Sequence, residues 1–276
     1  MAEPIKQAIY TLTPGRSGTV YLAELLKQNL PDALVYHERT GFPHFGVNTP
    51  DASHATTFNH VGNVNLVKEF WRNKLARDAM ENPRWFVEIS HHLAKAGLIE
   101  NLDALTGHRN TKLIFLRRDP FKVAWSYINR FEFINNGYTW LFSLDPAYPR
   151  RIVDSTEYCK QGVFGRSIWY VNEVYARQAY YQKLLATAES VSVYPVHLEN
   201  IVEPAGAANF ITNLTGINYE PQTINLPSPQ NAAPQIFFDD KVKQNVKALL
   251  ENLWQDPDSA GADYFNAGHR LGEPQA

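Results

Sequence analysis

A short segment near the amino end combines residue types that bind phosphate groups. An apolar, β-branched run at residues 7–11 leads into Gly15, Arg16, Ser17, Gly18 and Thr19, after which a helical pattern begins. A helix start offers backbone N–H groups without intrahelical partners and the positive end of the helix dipole. Glycines allow close backbone approach, while the arginine and the hydroxyls add hydrogen bonds. The segment predicts a phosphate site, although an ordinary strand-to-helix turn has the same outline.

A second strand-to-helix junction carries another set of anion-binding groups. Arg118 follows the predicted strand at residues 112–116, and Ser126 and Arg130 stand four residues apart on the helix after it. Residues at that spacing share one helix face, so these donors could bind a second phosphate. The alternative is a surface ion pair of Arg118 with Asp119 or Glu132, which would contribute little.

The order of residues distinguishes the first segment from the loop of nucleoside triphosphatases. That loop has the pattern GxxxxGK followed by Ser or Thr, in which the lysine reaches the terminal phosphates and the hydroxyl binds magnesium. Here the basic residue, Arg16, comes before the second glycine. This order disfavours a P-loop-type nucleotide kinase or NTPase, which is kept as an alternative hypothesis. A non-catalytic nucleotide-binding protein is a second one.

Together the two segments resemble sulfotransferases that take their sulfuryl group from 3′-phosphoadenosine 5′-phosphosulfate (PAPS). TPGRSGTVYL at residues 13–22 is similar to the family's 5′-phosphosulfate loop, where Lys or Arg precedes Ser-Gly-Thr. FLRRDPFKVAWS at residues 115–126 is similar to its 3′-phosphate segment, an Arg with a Ser eight residues later. Residues 193–202 resemble, more weakly, the late strand and turn that commonly precede the family's last core helix.

The resemblance implies a role for each matching position. Residues 16–19 would hold the 5′-phosphosulfate, and Arg118 with Ser126 would hold the 3′-phosphate, with Arg130 as an additional contact. Arg117 is excluded because neighbouring side chains on a strand point to opposite faces. The resemblance also implies a P-loop-like sulfotransferase fold, PAPS as co-substrate, release of 3′,5′-adenosine bisphosphate (PAP), and no metal.

Sulfuryl transfer to a hydroxyl or amine needs a base for the acceptor proton and charge stabilisation on the departing phosphate. Arg16 is the candidate for the charge stabilisation. Glu38 lies roughly where protein-tyrosine sulfotransferases carry a catalytic glutamate, whereas cytosolic small-molecule sulfotransferases use a later histidine. We rank the candidate bases in the order Glu38, His91, Glu88, His37 and His92.

The elements that must position these residues follow from hydrophobic periodicity and capping signals. Strands are predicted at residues 7–11, 34–38, 85–89, 112–116 and 191–196, with helices between them. Helices are expected from residue 17 or 18 to before Pro31, after Asp119-Pro120, at 167–187 and 204–214, and in a late charged segment around residues 242–253. This alternation predicts an α/β fold in which helices flank a mainly parallel central sheet of about five strands.

Two stretches, residues 40–65 and 131–165, fit no regular pattern and are candidate acceptor-binding loops. The second stretch contains aromatic residues that could line an acceptor pocket, stack on adenine or belong to the core. They are Phe131, Phe133, Tyr138, Trp140 and Phe142. We find no repeat or linker, so residues 1–276 are expected to form a single domain.

Composition limits the function classes. The net charge of −2 and the pI near 6.5 give no field for binding nucleic acid or an anionic membrane, so neither partner is expected. The sequence contains one cysteine, no HExxH or HxxxH pair, no signal-peptide pattern and no long apolar run, so we expect a cytoplasmic protein without metal. The acceptor is expected to be a small molecule, a sugar or a peptide, and its identity and the oligomeric state are left open.

Overall fold

The computed structural model describes residues 6–81, 83–105, 110–133, 144–228 and 237–274. Its centre is one sheet of five parallel strands in the order β2-β3-β1-β4-β5. The strands are β1 (Gln7–Leu12), β2 (Ala33–His37), β3 (Trp85–Ile89), β4 (Asn110–Arg117) and β5 (Val191–His197). The predicted α/β fold with a parallel sheet is confirmed, and the strand boundaries agree to within two residues.

Ten α-helices and three 3₁₀ turns occupy the described part of the chain. The helices are α1 (Thr19–Asn29), α2 (Ala52–Val61), α3 (Asn65–Met80), α4 (Pro120–Ile128), α5 (Thr156–Cys159), α6 (Gly162–Leu184), α7 (Leu198–Ile201), α8 (Pro204–Thr215), α9 (Asp240–Leu253) and α10 (Pro257–Asn266). The 3₁₀ turns are Ala94–Ala96, Ile99–Leu105 and Pro221–Thr223. None of the helices in these described ranges is long and apolar enough to cross a membrane.

Helices cover both faces of the sheet, and alternation along β1 shows how. Ala8, Tyr10 and Leu12 are buried against α2, α3, α4 and α6, whereas Ile9 is buried with α1 and α8 on the other face. A strand buried on both faces is mostly apolar, as this one is, and its buried Thr11 donates its hydroxyl hydrogen bond to the carbonyl of Ser90. Because all five strands are parallel, their carboxyl ends lie at the same edge of the sheet. The strand order reverses at β1, between β3 and β4, and the ends of β1 to β4 open into one crevice there.

The prediction of irregular structure at residues 40–65 is wrong for its second half. Helix α2 lies there, and Asp51 caps it by accepting hydrogen bonds from the backbone N–H groups of Ser53 and His54. Polar residues dominate this helix, which hides its apolar periodicity. In the stretch 131–165, α5 and the start of α6 are helical, and residues 134–143 lie outside the described residues.

Candidate functional site: a cationic cleft at the strand ends

The loop between β1 and α1 has the backbone shape of an anion-binding turn. Gly15, Arg16 and Gly18 all adopt positive φ, at 82°, 53° and 90°. Arg16 is thus held in the left-handed region although it carries a side chain, a conformation that costs about 1 kcal/mol or more and needs support from its surroundings. Successive left-handed residues turn backbone N–H groups toward one side of a loop.

The carbonyl oxygens of the loop are occupied by the protein itself. Tyr127 and Tyr170 both donate their hydroxyl hydrogen bonds to the carbonyl of Pro14, the latter at 2.6 Å. Ser17 Oγ donates to the carbonyl of Gly15 at 2.9 Å, and Arg118 Nη1 donates to the carbonyl of Arg16 at 3.0 Å. Because each peptide unit is trans, the following N–H groups point away from these donors.

Gly18 precedes the first turn of α1 and is fixed there by a close neighbour. A Cβ on Gly18 would lie 2.7 Å from Leu198 Cδ1 and Cδ2, so the leucine side chain or the loop would have to shift. The φ of 90° also strains any residue with a side chain, and the two effects together favour glycine at this position. Thr19, the first helical residue, presents its hydroxyl at the cleft beside the free N–H groups of the helix start.

Three guanidinium groups meet at this crevice from separate parts of the chain. Arg16 Nε donates to Ser126 Oγ at 3.0 Å, although the two residues are 110 positions apart. Arg118 and Arg130 line the same cleft, and burial first, then the positive charge of Arg130, lowers the pKa of Arg16. In a chain of net charge −2 this is a local concentration of positive charge.

The cleft has a volume of about 310 Å³. Its lining residues are Arg16, Gly18, Thr19, Val20, Tyr21, His37, Glu38, His91, Arg118, Tyr127, Arg130 and Glu132. The structure thus brings together most of the residues singled out from the sequence, including the arginines of both segments. Ser17 is buried beneath the loop, and Ser126 contacts the cleft through Arg16.

The arginines of the second segment separate as strand alternation requires. Arg118 lies at the cleft, whereas Arg117 extends to the opposite face and binds Asp258 at 2.7 Å and Gln178 at 2.7 Å. Glu132 was considered as an ion-pair partner of Arg118, but it pairs with Arg130, whose Nε lies 3.5 Å from Glu132 Oε1.

Glu38 lies across the cleft from the arginines at the end of β2. Its Oε1 accepts a long hydrogen bond from Thr19 Oγ1 at 3.4 Å and lies 3.7 Å from His37 Nε2 and 3.8 Å from His91 Nε2. Burial raises the pKa of Glu38 above its ordinary value, and the positive charge of Lys95 opposes this rise. A carboxyl with a raised pKa is a stronger base once ionised, which suits proton abstraction.

His91 joins Glu38 to a buried lysine. Its Nδ1 lies 3.0 Å from Lys95 Nζ, which also donates to Tyr170 Oη at 2.6 Å. Burial lowers the pKa values of His91 and Lys95 well below their ordinary ranges, so the imidazole is neutral. If Lys95 donates to Nδ1, the ring proton must lie on Nε2, and His91 then presents a donor to Glu38. This arrangement favours Glu38 over His91 as the proton acceptor.

The remaining candidate bases have different surroundings. His37 lines the cleft, and its Nε2 lies 3.0 Å from Thr19 Oγ1; burial lowers its pKa. His92 lies behind His91, with ring centroids 3.9 Å apart, and its Nδ1 lies 3.2 Å from Ser90 Oγ; burial lowers its pKa to about 3.

Glu88 does not face the cleft, contrary to the expectation from its place near a strand end. It is fully buried within β3, where alternation directs its side chain to the face that packs on α3. There it forms ion pairs with Lys74 and Arg39. A carboxylate held between two cations has no access to an acceptor.

Three groups of the site were missed in the sequence: Lys95, Tyr127 and Tyr170. The two tyrosines reach the loop at Pro14, 113 and 156 positions away, and Lys95 donates to Tyr170. Tyr127 follows Ser126 directly, but an aromatic residue within a helix reads as core. Phe133 is core as well, packing 5.4 Å from Tyr127, whereas Phe131 is partly exposed. Tyr138, Trp140 and Phe142 lie outside the described residues.

Comparison with known proteins gives structural similarity only. No model of a protein family matches the chain, and neither does any curated protein. A sulfotransferase from Alicyclobacillus acidocaldarius is similar at a TM-score of 0.45 and 17% identity, covering 96% of both chains. The sulfotransferase domain from the curacin biosynthetic pathway is similar at a TM-score of 0.45 and 14% identity, covering 90% of this chain and 99% of that one.

Proposed function

We propose that the protein is a sulfotransferase that moves the sulfuryl group of PAPS to a hydroxyl or amine and releases PAP. The observation that carries the proposal is the convergence of Arg16, Ser126 and Arg118 at one loop. Two strand-to-helix junctions that resemble the two phosphate segments of a PAPS site are hydrogen-bonded to each other, through Arg16 to Ser126 and Arg118 to the Arg16 carbonyl. PAPS carries anionic groups at both ends of its ribose, and this cleft offers cations from both junctions.

The donor would bind with its 5′-phosphosulfate at the start of α1. The N–H groups of the loop, the Thr19 hydroxyl and the Arg16 guanidinium supply the hydrogen bonds there. Arg118 and Ser126, with Arg130 at the rim, would bind the 3′-phosphate. This second contact is the one that distinguishes PAPS from nucleotides without a 3′-phosphate.

The chemistry would use Glu38 as the base. The acceptor oxygen or nitrogen forms a bond to sulfur as the bond from sulfur to the 5′-phosphate oxygen breaks. The acceptor proton passes to Glu38, and the electron pair of the broken bond stays on PAP, where Arg16 stabilises the added charge. His91 would orient Glu38, and the Thr19 hydroxyl contacts both Glu38 and His37.

The proposed function allows acceptors of three chemical classes. A small molecule, a sugar or a peptide can each present a hydroxyl or amine to Glu38. Incubation with radiolabelled PAPS and a panel of these three classes tests the function directly. We expect label on an acceptor together with an equal amount of PAP. PAPS left intact in every incubation, including those without acceptor, would contradict the proposal.

A further inference from the structure

The residue that follows Glu38 is held in a buried network of charges. Arg39 Nε donates to Glu88 Oε1 at 3.2 Å, and its Nη2 donates both to Glu88 Oε2 and to Asp78 Oδ1, the latter at 2.9 Å. The guanidinium also lies 4.4 Å from the ring centroid of Tyr36. We call Arg39, Glu88 and Asp78 the clamp.

The network around the clamp is electrically balanced and largely buried. Lys74 Nζ donates to Asp78 Oδ2 and to Glu88 Oε2, both at 2.7 Å. These two cations and two carboxylates have side chains that are at most 10% exposed. Buried ion pairs often contribute little net stability, because each charge must lose its water. What such a network does supply is a fixed geometry for the backbone attached to it.

That backbone determines where Glu38 points. Glu38 adopts a left-handed conformation with φ of 41°, which a side chain rarely adopts without support. Its N–H donates to the carbonyl of Ile89 at 3.1 Å, and the carbonyl of the next residue, Arg39, accepts from Thr49 Oγ1. The peptide before Glu38 and the peptide after Arg39 are thus both hydrogen-bonded, and the Arg39 side chain lies in the core. Between these fixed points, the Glu38 side chain is turned to the cleft.

We propose that the clamp is a positioning device for the base of the sulfuryl transfer. This inference rests on the proposed function, in which Glu38 takes the acceptor proton. Arg39 is the key member, because a planar guanidinium binds Glu88 through two nitrogens and so fixes direction as well as charge. The clamp also gives a role to Glu88, which carries a carboxylate near the site but has no access to the cleft.

The test replaces Arg39 with lysine, which keeps the buried charge and loses the planar fork. The readout is the release of PAP from PAPS with water as acceptor, so no acceptor needs to be known. We expect the rate to fall about tenfold or more, since small displacements of a catalytic group have large effects. The dissociation constant of PAP should stay within about threefold.

A second readout follows Glu38 itself. Carbon NMR of the glutamate carboxyls, with Glu38→Gln to assign the signal, measures the pKa of Glu38 in the wild type and in R39K. Loss of the clamp should let the carboxylate turn to solvent and lower its pKa. This measurement does not depend on turnover, so it tests the clamp even if PAPS is not the donor.

Two further variants separate positioning from folding. Arg177 forms an equally buried pair with Glu173, at 2.7 Å, and in the described part of the chain its other hydrogen bonds go to Asn59 and the Arg150 carbonyl, outside the cleft. Arg177→Lys should therefore lower stability and leave the rate unchanged. Thr49→Val removes only the hydrogen bond on the Arg39 carbonyl and should slow PAP release about fivefold. The clamp is refuted if R39K keeps both the wild-type rate and the wild-type pKa of Glu38. If R39K does not fold, the same result in T49V refutes it.

Discussion

Glu38 and Arg16 share the partly buried surroundings of one cleft, with different consequences for their charge. Burial disfavours the charged form of each side chain: it raises the pKa of Glu38 and lowers that of Arg16. A base needs this partial desolvation, whereas a guanidinium stays charged at any ordinary pH. Arg16 therefore keeps its charge for a phosphate while Glu38 becomes a better proton acceptor.

Substitution of Glu38 by glutamine should separate chemistry from donor binding. The variant keeps the shape of the side chain and cannot take a proton, so turnover should fall about 10²-fold while PAP affinity changes little. Steady-state rates and PAP titration measure the two effects. A rate that stays at the wild-type level would transfer the role of base to His91.

The raised pKa of Glu38 also predicts a pH dependence of the rate. The base works only when ionised, so the rate should fall as the pH drops through a value above 4.5, the ordinary value for this carboxyl. The decline should therefore begin at a higher pH than an exposed glutamate would give. A rate that is flat down to pH 4.5 would exclude Glu38 as the base.

The sequence showed which charged residues could belong to the site, but it did not show which groups surround each of them in the fold. Arg16, Arg118 and Ser126 lie together as expected, because their charge and spacing are visible in the chain. Arg117 points to the opposite face, as strand alternation alone predicts. The roles of these residues in binding stay predictions. Glu88 was misplaced because its partners Lys74 and Asp78 belong to α3, which the sequence patterns did not single out.

At the scale of elements, the turn from β1 into α1 favours glycine at residue 18 for two separate reasons. Gly18 has φ of 90°, and a Cβ there would collide with Leu198. Gly18→Ala should reduce PAP affinity by about tenfold or more, because the loop must shift to relieve the collision. Isothermal calorimetry measures the affinity.

Gly216 provides the matched control for this substitution. It ends α8 with φ of 72°, and a Cβ there would meet no atom within 4 Å. Gly216→Ala should cost about 1 kcal/mol of stability from backbone strain alone and leave PAP affinity unchanged. Equal losses of affinity in both variants would show that the Gly18 effect is general destabilisation.

Capping signals explain which helices were found in the sequence. Asp119-Pro120 predicted the start of α4, and Asp119 does accept a hydrogen bond from the backbone N–H of Lys122. The same pair, Asp256-Pro257, begins α10, yet that helix was not predicted because its apolar periodicity is weak. Helix α10 nevertheless packs closely on α6, partly through the small residues Ala260 and Gly261, which leave a weak apolar repeat in the sequence.

At the scale of the whole molecule, one buried carboxyl should make stability depend on pH. Glu100 is partly buried as a residue, but its carboxyl group is turned inward: it accepts a hydrogen bond from Tyr181 Oη at 2.6 Å and lies near Gly272 of the carboxyl-terminal segment. Tyr180 and Arg177 also act on it, and burial raises its pKa to about 7. Burying the ionised form is unfavourable, so folding favours the protonated form of Glu100.

The sign of the effect follows from proton binding. Between pH 4.5, the ordinary value for Glu100, and about 7, the folded state holds the proton more tightly than the unfolded state, so stability should fall as pH rises. The loss should be about 3 kcal/mol. Glu100→Gln should abolish it, whereas Glu251→Gln, at an exposed carboxyl, should not. Urea unfolding of the wild type and E100Q at pH 5 and pH 8 isolates the contribution of Glu100, because burial lowers the pKa values of His91 and His92 and gives both proteins an opposite pH dependence. The same change of stability with pH in the two proteins would refute the prediction.

The parallel sheet and the cleft at its strand ends could be predicted from alternating strand and helix patterns. The positions of Lys95 and Tyr170 could not, because they depend on how α6 packs across the sheet. That the chain forms a single domain remains a prediction, as do its acceptor and its cellular location. The proposed use of PAPS depends most directly on one contact, between Arg118 and the 3′-phosphate.

The most direct measurement is a thermal-shift titration with PAP, AMP and magnesium-ATP on the wild type, Arg118→Ala and the control Arg117→Ala. Saturation with PAP should add about 2.7 kcal/mol at 100 times the dissociation constant, or about 5 °C. We predict a much larger shift with PAP than with AMP in the wild type and in R117A, and no such difference in R118A. Equal shifts with PAP and AMP, or a larger one with magnesium-ATP, would contradict the assignment of this cleft to PAPS.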